Sequence, residues 1–124
     1  MSGTTPVRVA VKRVYEDADA ADGRRVLVDR LWPRGVSKEK ARIEQWLKEI
    51  GPSDELRRWF GHDPARWNEF RRRYFAELEA NAEPVRELQE LARKGAVTLL
   101  YAAKDEEHNN AVALREFLKG HGRG

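Results

Sequence analysis

The stretch Val26-Leu27-Val28-Asp29-Arg30-Leu31-Trp32-Pro33-Arg34-Gly35 decides how the chain reads. Three residues suited to a buried strand run straight into an acid, an arginine, a tryptophan and a Pro-Arg-Gly turn. A buried strand that ends in charge sets that charge on the edge of a sheet, where open α/β proteins bind ligands. Two further apolar segments end the same way, at Lys12-Arg13 and at Lys104-Asp105. The pattern indicates a place and a ligand of negative sign, and it leaves the reaction open.

Working outward, Val7, Val9 and Val11 alternate with Arg8 and Ala10, as in a strand over Val7 to Val11. Glu16 to Gly23 is acidic, rich in alanine and ends in Asp-Gly, which is turn chemistry. Arg25 to Leu31 is the second strand, broken by Pro33 and Gly35. Ser37 then caps a helix whose apolar face is Trp46, Leu47 and Ile50, stopped at Gly51-Pro52. Ser53 restarts a helix carrying Leu56, Trp59 and Phe60 as far as Gly61. Asp63-Pro64 opens the longest helix, with Trp67, Phe70, Tyr74 and Leu78 at helical spacing. Glu83-Pro84 restarts or kinks it, and Val85, Leu88, Leu91 and Ala92 continue one face up to Gly95. Ala96 to Ala102 is a nearly unbroken apolar run, the signature of a strand buried on both faces. Asp105, Glu106 and Glu107 place acids at the start of a last helix, with His108 and Asn109 in its first turn.

This order predicts an α/β fold: a small three-stranded, mainly parallel sheet with helices packed around it. Residues 1–6 are expected to be a disordered N-terminus, 7–119 a single α/β domain, and 120–124 a frayed tail. The link from Lys12 to Arg24 is short for a crossover, so antiparallel pairing of the first two strands stays open.

Bulk composition narrows the function classes. The 124 residues, 40% apolar and 36% charged, supply one hydrophobic core under a heavily charged surface. There is no cysteine, which excludes disulfides, thiolate nucleophiles and sulfur-ligated zinc. No apolar run approaches the ~20 residues that span a bilayer. Met1 to Pro6 lacks the basic-then-apolar pattern of a signal peptide, so a cytoplasmic protein is expected. The net charge of +3 is too small for a dedicated nucleic-acid binder.

If the strands are parallel, Lys12, Arg13, Asp29, Arg30, Arg34, Lys104 and Asp105 share one edge of the sheet. Forked guanidiniums there suit phosphate or carboxylate, and Trp32 beside them can stack on a flat ring. The plainer alternative is that Asp29 pairs with an arginine and only closes the sheet edge; the anion site is the preferred reading. His62 beside Asp63 offers proton transfer, although helix capping by itself accounts for Asp63. His108 and Asn109 can reach a ligand from the start of the last helix, while a solvated His108 behind a capping Asp105 has similar weight. A metal held by His62, His108, Asp63 and Asp105 has no short ligand spacing behind it, so neither metal nor cofactor is expected. Arg71-Arg72-Arg73, with Arg57, Arg58 and Arg66, alternates with Glu69, Glu77 and Glu79 and reads as a solvated helix face. No Gly-x-Gly-x-x-Gly, P-loop or Gly-x-Ser-x-Gly pattern is present.

Four segments carry a family resemblance: Lys12-Arg13-Val14-Tyr15, Val26 to Gly35, Trp59-Phe60-Gly61-His62-Asp63-Pro64, and Leu99-Leu100-Tyr101-Ala102-Ala103-Lys104-Asp105. Together they resemble the DUF488 family in its short, YeaO-like bacterial branch, over Val7 to Leu118. The resemblance implies a small cytoplasmic α/β protein and brings no assigned activity. A longer branch carries a Val-Asp-x-Arg-x-x-Pro-Arg pattern similar to Val28 to Arg34, which favours the parallel arrangement. That branch has Cys-His-Arg after its Lys-Asp strand end, where this chain has Asn109, Asn110 and Ala111. A thiolate mechanism does not carry over.

The leading expectation is a domain that binds a small anionic ligand, a nucleotide or phosphorylated metabolite, with catalysis left open and His62 or His108 as the proton carriers it would use. Arg30, Arg34 and Lys104 would hold the anion, Lys12 or Arg13 would assist, Trp32 would stack, and Asp29 would orient an arginine. The competing expectation is a non-enzymatic module that binds nucleic acid or protein through the arginine-rich helical face. No membrane partner is expected, and oligomeric state is not legible.

Overall fold

In the computed structural model, which describes residues 8–121, the strands are β1 (Val9–Arg13), β2 (Arg24–Leu27), β3 (Gln45–Trp46) and β4 (Val97–Tyr101). They form one sheet in the order β1-β4-β2-β3, with every pairing parallel. The sheet therefore has four strands rather than the three expected. The first two strands are not neighbours: β4 lies between them and pairs parallel with both, which removes the antiparallel alternative. All five residues of β4 are buried, as its continuous apolar run requires for a central strand.

The fourth strand lies where a helical face was expected. The helix capped by Ser37, α1 (Lys38–Ala41), ends after one turn because Arg42 takes a left-handed conformation with φ 52°. The chain then extends, and Gln45 and Trp46 pair with Val26 and Leu27. Trp46, Leu47 and Ile50 thus leave a strand and a short 3₁₀ turn, Lys48–Ile50, rather than one helix.

The later helices follow their capping signals. Ser53 Oγ accepts from the Leu56 N–H at the head of α2 (Asp54–Phe60), and Gly61 at φ 53° ends it. Asp63 Oδ1 accepts from the Ala65 N–H and caps a 3₁₀ turn, Pro64–Arg66, that feeds α3 (Trp67–Ala80). The backbone breaks at Asn81, and α4 (Ala82–Lys94) follows. The last helix, α5 (Asn110–His121), starts later than expected. Asp105 organises a turn by accepting from the Glu107 and His108 N–H groups, and it is Asn109 Oδ1 that accepts from Val112 N–H at the helix head. The acids at 105–107 and His108 precede the helix. Gly120 and His121 belong to α5, whereas Val7 and the expectations for residues 1–6 and 122–124 lie outside the described residues. No helix among the described residues is long and apolar enough to cross a membrane.

Strand alternation splits the core in two. Val9, Val26, Val28, Leu99 and Tyr101 face the helices, where Phe60, Phe70, Tyr74, Leu88, Leu114 and Phe117 complete the larger cluster. Phe60 and Phe70 stack at 4.3 Å, and buried Tyr74 donates its hydroxyl to Ile50 O at 2.7 Å. Leu27 and Leu100 point the other way, into a smaller cluster with Val14 and Ile43. On that second face Arg25, 2% exposed, donates to Asp22 Oδ2 at 2.5 Å and to Ala41 O at 2.8 Å.

The turn into β2 depends on Gly23, with φ 64° and ψ −136°. A Cβ there would stand 2.3 Å from Ala96 O. Backbone strain and the clash act together, so Gly23→Ala should lower stability by at least about 2 kcal/mol. A urea melt followed by circular dichroism measures the loss.

Candidate functional site

The connections leaving β2 and β4 diverge. The chain after β2 returns to the sheet as β3, on the far side from β4, while the chain after β4 enters α5, which packs on β4 and β1. Between their C-terminal ends opens the crevice that this divergence produces in parallel sheets. It is a cleft of about 820 Å³, within the ~300–1,000 Å³ typical of small-molecule sites. One wall is Asp29 to Pro33, another is Ala102 to Asp105, and Pro52, Arg57, His62 and Asn110 close the remainder.

Asp29 is the floor. Its Oδ2 accepts from the Ala102 N–H at 3.0 Å, so β2 and β4 are joined just past their ends. Its Oδ1 accepts from Asn110 Nδ2 at 3.0 Å, and the same amide donates to Val28 O at 3.1 Å. Its carbonyl accepts from Trp46 Nε1 at 2.8 Å. Burial pushes the Asp29 carboxyl above its ordinary value, against the lowering pull of the Asn110 amide, the Ala102 N–H and the Arg57 and His62 charges. Asp29 is not paired with an arginine, contrary to the expectation that it orients one; its oxygens accept from the Asn110 amide and the Ala102 N–H instead.

Arg30 lines the cleft, but its guanidinium is committed to backbone. Nε donates to Pro52 O and Nη2 to Gly51 O, each at 2.9 Å. Gly51 also lets its backbone pass close to that of Arg30, since a Cβ there would lie 2.8 Å from the Arg30 backbone nitrogen. Lys104 is exposed at the cleft and has no hydrogen bond or ion pair among the described residues. Arg57 holds Asp54 at 2.8 Å through Nη2, while its buried Nε has no partner among the described residues. Trp32 donates Nε1 to Val36 O and meets the Trp46 ring edge-on at 5.2 Å. His62, at φ 57° directly after left-handed Gly61, also lines the cleft.

Other expected residues are turned elsewhere. Lys12 stands opposite Leu100, so it points to the second face and pairs with Asp22 at 3.2 Å. Arg13 donates Nε to Ala103 O at 2.9 Å and lies over the Tyr15 ring, pinning β1 to the exit of β4. The Arg34 side chain is exposed away from the cleft, and only its carbonyl is engaged, by Tyr15 Oη. Asp63 caps its turn and lies 3.7 Å from Arg66. Asn109 is buried, caps α5 and donates to Asp105 O. Asp105 lines the cleft, held below the usual carboxylate range by the Glu107 and His108 N–H groups and the His108 ring at 2.9 Å. His108 itself packs edge-on against Trp67, outside the lining. No group of acids and histidines among the described residues could hold a metal ion. The arginine face is largely neutralised: Arg71 meets Glu116, and Arg72 and Arg73 both meet Glu69.

Two polar lining residues were missed. Asn110 stands out in the sequence only by what it replaces, and Arg57 carries no local signal beyond being one cation in a helix of several.

A native carboxyl that binds its proton more tightly than the unfolded chain gives stability that is fully present below the unfolded value. That stability is lost as pH rises through the native one. Asp29 is such a group, opening its window at 3.8 and extending upward. Asp105 is the reverse, its contribution present above 3.8 and lost as pH falls below that value. Carbon-detected NMR titration should place the Asp29 midpoint above 3.8 and that of Asp105 below it. Asn110→Ala should move Asp29 further up, because it removes a hydrogen bond to the ionised form.

Comparison with known proteins agrees with this architecture's sequence signature. Residues 8–122 match the model of the inactive DUF488-N3 subclade. An uncharacterised protein of Mycobacterium tuberculosis (strain ATCC 25618 / H37Rv) is 44% identical over 113 residues, covering 91% of this chain and 95% of the relative. The uncharacterised protein YeaO of Escherichia coli (strain K12) is 42% identical over 113 residues, covering 91% of this chain and 98% of YeaO. No solved structure gives a significant match. On this similarity, which runs almost end to end, the chain belongs to the DUF488 family and is one of its YeaO-like members.

Proposed function

We propose that the chain is a binding domain that holds a small anionic ligand, a nucleotide or phosphorylated metabolite, in the cleft between the ends of β2 and β4, without turning it over. The observation that carries this reading is Lys104. It is an exposed cation with no partner among the described residues, on the rim of a crevice of nucleotide size at the divergence of two parallel strands. Arg57, with its unsatisfied Nε, and His62 add positive or proton-carrying groups nearby. Trp32, Leu31, Pro33 and Pro52 supply apolar walls for a flat ring. Arg30 acts from behind, holding the Gly51–Pro52 backbone in place.

The case against turnover is chemical. The lining side chains offer no hydroxyl or thiol nucleophile, and Asn110 occupies the region where the longer branch of the family carries Cys-His-Arg. The matching subclade is itself described as inactive. The arginine-rich helical face is the weaker candidate, since glutamates already meet its central cations.

Thermal unfolding with a panel of nucleoside phosphates and sugar phosphates tests the reading. A ligand at a hundred times its Kd should stabilise the wild type by about 2.7 kcal/mol. Lys104→Ala should weaken binding about tenfold or more, as expected for a lost charge-assisted contact. Charge removal at Arg71, Arg72 and Arg73 should leave it unchanged. Absence of stabilisation by every phosphate-bearing compound, or an undiminished effect in Lys104→Ala, refutes the reading.

A further inference from the structure

The floor of the cleft and its rim make opposite demands on a ligand. At the floor, the orientation of the Asn110 amide is dictated by chemistry. Its two contacts are the Val28 carbonyl and the Asp29 carboxylate, both acceptors, so the nitrogen must face them. Both amide hydrogens are then used. The carbonyl oxygen of Asn110 is left on a cleft-lining residue without a partner among the described residues. Asp29 adds to this. Each of its oxygens receives one N–H, from Ala102 and from Asn110, an arrangement that suits the carboxylate and leaves a further lone pair on each oxygen. The floor therefore accepts hydrogen bonds.

A phosphate is poorly matched to these groups, because its acceptor oxygens would meet the Asn110 carbonyl oxygen and the Asp29 oxygens. The rim differs: beside the Asp105 carboxylate, Lys104 is a cation and a donor with no acceptor capacity and no partner among the described residues. Between floor and rim lie the apolar surfaces of Leu31, Trp32 and Pro52.

We infer that the ligand is two-ended: an anionic group at Lys104, and a flat ring whose N–H donors meet the Asn110 oxygen and Asp29. A nucleotide whose base presents adjacent ring N–H and amino groups has this form. This rests on the cleft being an anion site, as proposed above, and specifies what the other end of the ligand must be.

Three probes separate the two claims by isothermal titration: guanosine 5′-monophosphate, purine riboside 5′-monophosphate and ribose 5-phosphate. The first two share ring system, sugar and phosphate, but purine riboside has no N–H on its ring. The guanosine compound should bind about tenfold or more tightly than the purine riboside compound, as one to two donor contacts to the floor imply. Ribose 5-phosphate should be weaker still. In Asn110→Ala, with folding checked by circular dichroism, the preference for the guanosine compound should fall by at least about threefold; should that variant not fold, the wild-type ratio alone decides. If all three compounds bind equally, or the preference survives Asn110→Ala intact, the donor-head inference is overturned while the anion site stands. If none binds, the anion site fails and this inference with it.

Discussion

Asp29 is the residue on whose contacts the cleft depends. Through its two oxygens and its carbonyl it touches the Ala102 N–H past β4, the Asn110 amide at the head of α5, and Trp46 in β3. Four separate segments are thereby registered at one point. Hydrogen bonds to a charged group contribute roughly 1.5–3 kcal/mol each, while taking a carboxylate out of water costs several. The upward displacement of its proton affinity says that desolvation wins. Asp29 therefore contributes position more than stability, which comes instead from the aromatic and aliphatic packing beneath the sheet.

That packing explains why the cleft opens where it does. The four long helical and apolar layers, α2 to α5, cover one face of the sheet, whereas the opposite face is closed by a small cluster around Leu27 and Leu100. With β4 and β2 in the middle of the sheet, the exits of these two neighbouring strands separate. Arg13 and Arg30 then act as brackets: each spends its guanidinium on carbonyls flanking the crevice, one at Ala102 and Ala103, the other at Gly51 and Pro52. Forked donors with fixed geometry hold loop backbones well, and this is a different use of arginine from seizing a ligand.

Much of the fold was legible because it rests on local signals. The nearly unbroken apolar run Ala96 to Ala102 identified a strand buried on both faces, now β4, and the stripe Phe70, Tyr74 and Leu78 the core of α3. Ser53 and Asp63 announced their caps. What could not be read has specific causes. Arg42 enters the left-handed region with no glycine to mark it, so Gln45 and Trp46 were taken into a helix. Asp105 caps a turn and Asn109 caps the helix, two residues with the same capping chemistry four positions apart. The cleft gathers some of the expected residues and leaves others outside it. Asp29, Arg30, Trp32, Lys104, Asp105 and His62 do meet at the cleft. Lys12, Arg13, Arg34, Asp63, His108 and Asn109 do not: strand alternation turns Lys12 to the second face, where it meets Asp22, and beyond the strand ends the direction of a side chain depends on tertiary partners such as Trp67.

The edge-on pair Trp32 and Trp46 has a practical corollary. One indole N–H is tied to the Asp29 carbonyl and the other to Val36, and Trp32 lies directly on the cleft wall. Two of the four indoles in this chain thus sit on or directly behind the cleft wall, while Trp59 and Trp67 belong to the helical side. Intrinsic emission from the protein is consequently a built-in optical gauge of the surroundings of the cleft, one that needs no label.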